Sequence, residues 1–153
     1  MANIVYTKFL AEMAANDLDW ETSTIRFMLE RDTSAYAPDK YHDFLDSFTG
    51  GGGVEISVVS YGRQTMANGA INIDDANDRI ELDCDNVAFG NLETGQTVQA
   101  IIVYQQTGGD DLSPADDVLI CYIDTATGLP AVLGGGAFNI TIDDEGLIQI
   151  SQS

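Results

Sequence analysis

The chain has 153 residues, 44% of them apolar, and a net charge of −19 from 25 Asp and Glu against six Lys and Arg. That length fits one domain with a core of its own. The charge argues against nucleic acid or an anionic membrane as direct ligands, because both need clustered Lys or Arg.

The imbalance grows along the chain. From Ile80 to Ser153 there is no lysine, arginine or histidine, while twelve Asp or Glu remain. That half lacks the groups most catalytic sites use, and it reads as a surface module that binds, coats or braces. An acidic surface keeps such a chain soluble and self-repelling. No apolar run approaches the ~20 residues of a membrane span. The opening Met1 to Lys8 has no charged leader followed by a long apolar segment. Synthesis in the cytoplasm without export is the expectation.

Val5, Phe9 and Met13 recur at helical spacing and predict a short helix over Val5 to Ala14. Ile25, Phe27 and Leu29 share one face of a first strand, with Arg26 and Met28 on the other. Pro38 suits the first turn of a second helix. There Tyr41, Phe44, Leu45 and Phe48 form one apolar stripe, and Gly50 to Gly53 ends it.

From Val54 onward the pattern is β. Val54, Ile56 and Val58 alternate with polar residues. Asn68-Gly69 signals a turn before Ala70 to Ile73. Ile80, Leu82 and Cys84 alternate with acids, which predicts a strand with one dry and one wet face. Val98 to Tyr104 and Val118 to Ile123 are continuous apolar runs, expected to be central. Phe138, Ile140 and Ile142 alternate again. A turn at Asp144 to Gly146 then leads into a terminal hairpin closed by Leu147 to Ile150.

The expected fold is mainly β, sandwich or jelly-roll-like, with seven to nine strands and two short helices in the N-terminal third. It is one domain over residues 1–153, with a helix–strand–helix part over 1–50 and a β-rich part over 54–153.

Catalytic and metal patterns are weak. His42 is the single histidine and reads as a surface or cap residue. Cys84 and Cys121 lie in apolar strands without a CxxC and read as buried free thiols; a disulfide between them stays open on sequence grounds. The acidic clusters around Asp74, Asp83, Asp110, Asp116 and Asp143 do not fit an EF-hand, and turn chemistry accounts for them. The glycine runs Gly50–Gly53 and Gly134–Gly136 lack the lysine of a phosphate loop. Trp20, Tyr36, Tyr61 and Tyr104 suggest an aromatic sugar platform, against the commoner fate of core packing. No catalytic residue, cofactor or metal ligand is assigned.

Several segments together resemble a known family. They are Tyr6-Thr7-Lys8-Phe9, Ile25 to Leu29, Ser34-Ala35-Tyr36-Ala37-Pro38-Asp39, Leu82 to Phe89, Ala100 to Gly108, Ser113-Pro114, Leu119 to Asp124 and Phe138 to Leu147. Their order and spacing resemble small virion structural proteins of tailed bacteriophages, described as head decoration or cement proteins. The chain departs from that pattern at Asp110 to Asp117 and at Gly134 to Gly136.

The resemblance implies a non-enzymatic protein on the virion head surface, made in the host cytoplasm. Its implied partners are the major capsid protein and copies of itself, as a homo-oligomer such as a trimer, with no nucleic acid and no membrane. Asn3, Ile4, Val5 and Tyr6 are the expected partner contacts. Alternatives are a tail, neck or fibre component, a carbohydrate-binding β-sandwich with structural calcium, and a hydrolase built on paired carboxylates.

Overall fold

The structure, a computed structural model, describes residues 3–111 and 113–151. The elements run in the order β1 (Ile4–Val5), α1 (Thr7–Ala15), β2 (Ile25–Arg31), α2 (Asp46–Gly50), β3 (Gln64–Thr65), β4 (Ala70–Asp74), β5 (Arg79–Asp83), β6 (Val87–Asn91), β7 (Thr97–Gln105), β8 (Val118–Ile123), β9 (Ala131–Val132), β10 (Ala137–Ile140) and β11 (Ile148–Ser151). The fold is mainly β with two short helices, as the alternation indicates. Among the described residues there are eleven strands; β1, β3 and β9 have two residues each, too short to carry a readable pattern.

The strands form three antiparallel sheets. The large one has the order β1-β8-β7-β2-β3, with β9 also on β7; the small ones are β10-β6 and β11-β5-β4. The two continuous apolar runs become β7 and β8, inside the large sheet, and both are buried nearly throughout.

Burial on both sides explains their composition. On one face, Ile25, Phe27, Leu29, Ile101, Val103 and Ile120 pack with Leu82, Val87, Phe89 and Ile148 of the small sheets and Phe9 of α1. On the other, Met28, Ala100, Ile102, Tyr104, Leu119 and Tyr122 pack under Tyr6, Tyr36, Leu45 and Phe48. The first face is a sheet-on-sheet sandwich. The second is closed by the connection between β2 and β3, which is mostly irregular.

Several local expectations change. The first helix begins at Thr7, because Ile4 and Val5 pair with Tyr122 and Cys121 of β8 instead. Its Asn16 cap is left-handed at φ 62°, and its N–H bonds back to the Met13 carbonyl. The second helix shrinks to Asp46–Gly50. Residues 43–45 bond to the edge of β8 through Leu119 N–H to Asp43 O and Leu45 N–H to Asp117 O. Ladder pairing there displaces the helical stripe, and Tyr41 is left 68% exposed.

Val54 to Ile56 form no named strand. They run beside β2, with Arg31 N–H donating to Val54 O and Ile56 N–H to Leu29 O. The final segment is not a hairpin: β10 pairs with β6 and β11 with β5.

Asn68-Gly69 is a corner between sheets rather than a hairpin turn, since β3 pairs with β2 and β4 with β5. A Cβ on Gly69 would lie 2.4 Å from the Trp20 carbonyl oxygen, inside contact distance with backbone. Trp20 is itself fixed by its indole N–H, which donates to Asp83 O at 2.8 Å. We expect Gly69→Ala to lower the unfolding free energy by about 1–3 kcal/mol through overpacking. Gly50→Ala, with open space around the added carbon, should leave it unchanged or slightly raised. Denaturant unfolding of both variants checks this, and equal effects would refute it.

Candidate functional site

Tyr36 holds the irregular layer to the large sheet. Its ring meets Phe48 at 5.2 Å in a T-shaped pair and Tyr122 at 6.0 Å. Its hydroxyl lies 3.0 Å from that of Tyr6 and 2.9 Å from His42 Nδ1. Buried tyrosines need such partners for their hydroxyls. Burial raises the pKa of Tyr6 and of Tyr36. His42 is therefore a member of a tyrosine chain, half-buried at its outer end.

Under the same layer lies Glu30, 1% exposed. Tyr122 Oη donates to its Oε2 at 2.6 Å. Burial raises the Glu30 pKa; the Ser34 and Tyr122 hydroxyls oppose that rise, and Asp124 adds to it.

A second polar group sits where β2 meets the 55–65 segment. Arg63 donates to Glu55 through Nε at 2.9 Å and Nη2 at 2.8 Å, a two-pronged pair. Its Nη1 donates to Tyr104 Oη at 2.9 Å, and that hydroxyl donates to Asp111 Oδ1 at 2.7 Å. Arg26 reaches the other Asp111 oxygen at 3.2 Å. Tyr61 Oη accepts from Leu29 N–H at 3.0 Å and donates to Glu55 at 2.6 Å. The hydroxyl takes the place of a missing ladder carbonyl beside β2. Asp117, fully buried, accepts from Thr107 N–H at 2.8 Å. Burial raises its pKa, and the Thr107 bonds oppose that rise. These groups tie loop to sheet; they do not converge on a cleft.

The four expected contact residues separate. Asn3 is exposed, and its Oδ1 accepts from the N–H groups of Asp124 and Thr125, both at 3.2 Å. Ile4 is half-buried against the Tyr36 layer, and Val5 is 37% exposed. Tyr6 is fully buried with its hydroxyl engaged, so its side chain is out of reach of any partner. It is corrected from contact to core residue: an aromatic with a polar tip is best placed where the ring is dry and the hydroxyl has a mate.

The sugar platform dissolves in the same way. Trp20, Tyr36 and Tyr104 are buried, and Tyr61 stacks on Phe89 at 5.9 Å. Cys84 and Cys121 are free and buried; burial pushes the Cys84 thiol up to about 12, away from nucleophilic use. The acids serve turns. Asp74 Oδ1 accepts from Ala76 and Asn77 N–H, and Asp143 Oδ1 from Glu145 N–H. Among the described residues no three His, Cys, Asp or Glu are grouped to hold a metal ion.

The clefts on the surface of the described residues include two with apolar walls. One, of about 490 Å³, lies between the 126–129 turn and β10, with Ile101, Leu129, Phe138 and Ile140 in its wall. The other, of about 380 Å³, lies at the end of the β4-β5-β11 sheet. No histidine, cysteine or lysine lines either one.

Reading the sequence missed the burial of Glu30 and the Arg63 group. Glu30 follows Arg26 and Met28 at period two, on the face opposite Phe27. That placement alone flags a buried acid once both faces of β2 are known to be covered. No local signal links Arg63 to Tyr104 and Asp111, which are brought together by sheet pairing.

No protein-family model matches the chain, and no curated protein or solved structure matches it either.

Because the folded Glu30 carboxyl is raised above its ordinary value of about 4.3, its contribution is fully present below that range. It is lost as pH rises through the raised value. Glu30→Gln should match or exceed the parent in stability at neutral pH, and the difference should shrink on acidification. Tyr122→Phe should cost about 1–3 kcal/mol by removing the donor to a buried carboxylate. Denaturant unfolding across pH measures both. A parent that gains on Glu30→Gln as pH rises would overturn the assignment.

Proposed function

We propose that the chain is a non-enzymatic virion structural protein of a tailed bacteriophage, bound to the outside of the head as a decoration or cement subunit. The observation that supports a bracing role most directly is the use made of its reactive side chains. His42, Arg63, Tyr104, Glu30 and both cysteines hold sheet, loop and core together. The virion assignment is supported by the resemblance of the ordered segments from Tyr6 to Leu147.

Physical logic agrees with it. A shell under internal pressure gains stability when a rigid outer protein buries new interface across neighbouring subunits. A strongly acidic protein does not compete for the packaged genome. In this reading, the exposed side of the N-terminal strand, Asn3 and Val5, meets the capsid. The partners are the major capsid protein and further copies of the chain.

The test is electron microscopy of purified particles together with copy counting. The expected result is stoichiometric occupancy of the shell exterior. Density confined to tail or neck would favour the alternative virion position, and absence from washed particles would end the proposal. Val5→Ser, at an exposed strand position, is expected to keep the melting temperature and lower shell occupancy.

A further inference from the structure

The three-stranded sheet extends past the core that supports it. Registers place Ile71 opposite Leu82, and Leu82 opposite Ile148; the next row outward is Ile73, Ile80 and Ile150. Directly paired residues, and those two apart along a strand, share a face. All six side chains therefore stand on one face. Leu82 and Ile148 lie in the core at 0% and 4% exposure, but Ile80 is 40% exposed and Ile73 76%. The face starts dry and runs out into water.

Its back is rigid. On the opposite face Arg79 reaches Asp74 at 3.0 Å, Glu81 at 2.8 Å and Glu145 at 3.2 Å. Its Nη1 also donates to Gln149 at 3.0 Å. One guanidinium thus ties β4, β5, β11 and the turn before β11. The row is anchored at Ile150, which packs against the core, and runs out into water through Ile80 and Ile73.

We propose that this isoleucine row is a docking surface for a partner protein that presents an apolar side chain flanked by lysine or arginine. The cleft of about 380 Å³ at the sheet end is lined by Ile73, Ile80 and Ile150, by Asp74, Asp75 and Asp78, and by Arg79, which reaches it from the other face around the sheet end. Arg79, the last basic residue in the chain, is already surrounded by three carboxylates. The rim therefore offers negative charge around an apolar floor. A second copy is the wrong occupant. It would bring the same acidic rim against this one, on chains of net charge −19. Three isoleucines, of which only Ile73 is mostly exposed, also fall short of the ~800 Å² per partner that a stable interface buries. Complementary charge supplies what area does not. The surface requires this chemistry whatever assembly provides it.

The probe is a short peptide with a central leucine–isoleucine pair flanked by lysines, beside its glutamate-flanked counterpart. Both are titrated into the full chain while backbone amide resonances are followed. The lysine-flanked peptide should shift amides of β4, β5 and β11, and Ile73→Ser should weaken it about tenfold. Asp75→Lys with Asp78→Lys should reverse the preference between the peptides. Ile73 is mostly exposed, so its replacement keeps the fold, which unchanged resonances elsewhere would show. No shift in these strands, equal binding of both peptides, or indifference to Ile73→Ser would each overturn the proposal. So would a dimer in sedimentation that Ile73→Ser abolishes.

Discussion

Covering the large sheet on both faces is the constraint from which most of the molecule follows. A strand with water on one side alternates; β7 and β8 cannot. Val98 and Ala100 to Tyr104 are all buried, as are Val118 to Tyr122. With no wet face for their polar groups, these strands and β2 bring Tyr104, Tyr122 and Glu30 inside. Each then requires a specific mate. The tyrosine chain, the Tyr122–Glu30 bond and the Arg63 group are consequences of that demand rather than additions to it.

Scarcity of positive charge shapes the rest. With 25 acids and six basic residues, each cation has carboxylates to choose from. Lys8 pairs with Glu12 one helical turn away, Arg26 with Asp111, Arg63 with Glu55 and Arg79 with three acids. Single exposed pairs contribute little. The two hubs differ, because each joins segments far apart in the chain and fixes a loop or hairpin against a sheet. Arg26, Arg63 and Arg79 thus act as internal clamps, and the outward field is left negative.

The strands that dominate the fold were legible, and the irregular cover was not. β5, β7, β8 and β10 follow directly from alternation or from continuous apolar runs. The segment from Pro38 to Phe48 carries helical spacing, yet residues 43–45 run as an edge beside β8 because unpaired ladder groups there outweigh a marginal helix. Val54 to Val58 alternates like a strand, but only its first half lies along β2. Ile80 shows the limit of periodicity most plainly. Its alternation with Leu82 and Cys84 assigns the correct face, and only the sheet's overhang decides that this part of the face meets water. Likewise Tyr6, expected at a contact, was one residue past an exposed edge, and period two turned it inward.

The position of Arg79 has a practical corollary for detection. It is the last Lys or Arg in these 153 residues, and its bond to Ile80 lies within the middle strand of a three-stranded sheet, behind a screen of carboxylates. Ile80 to Ser153 hold no internal trypsin site, so this acidic stretch stays uncut in a tryptic digest and is poorly suited to routine mass spectrometry. Copy number counted from tryptic peptides would draw on the first half alone; cleavage at aspartate samples both halves evenly.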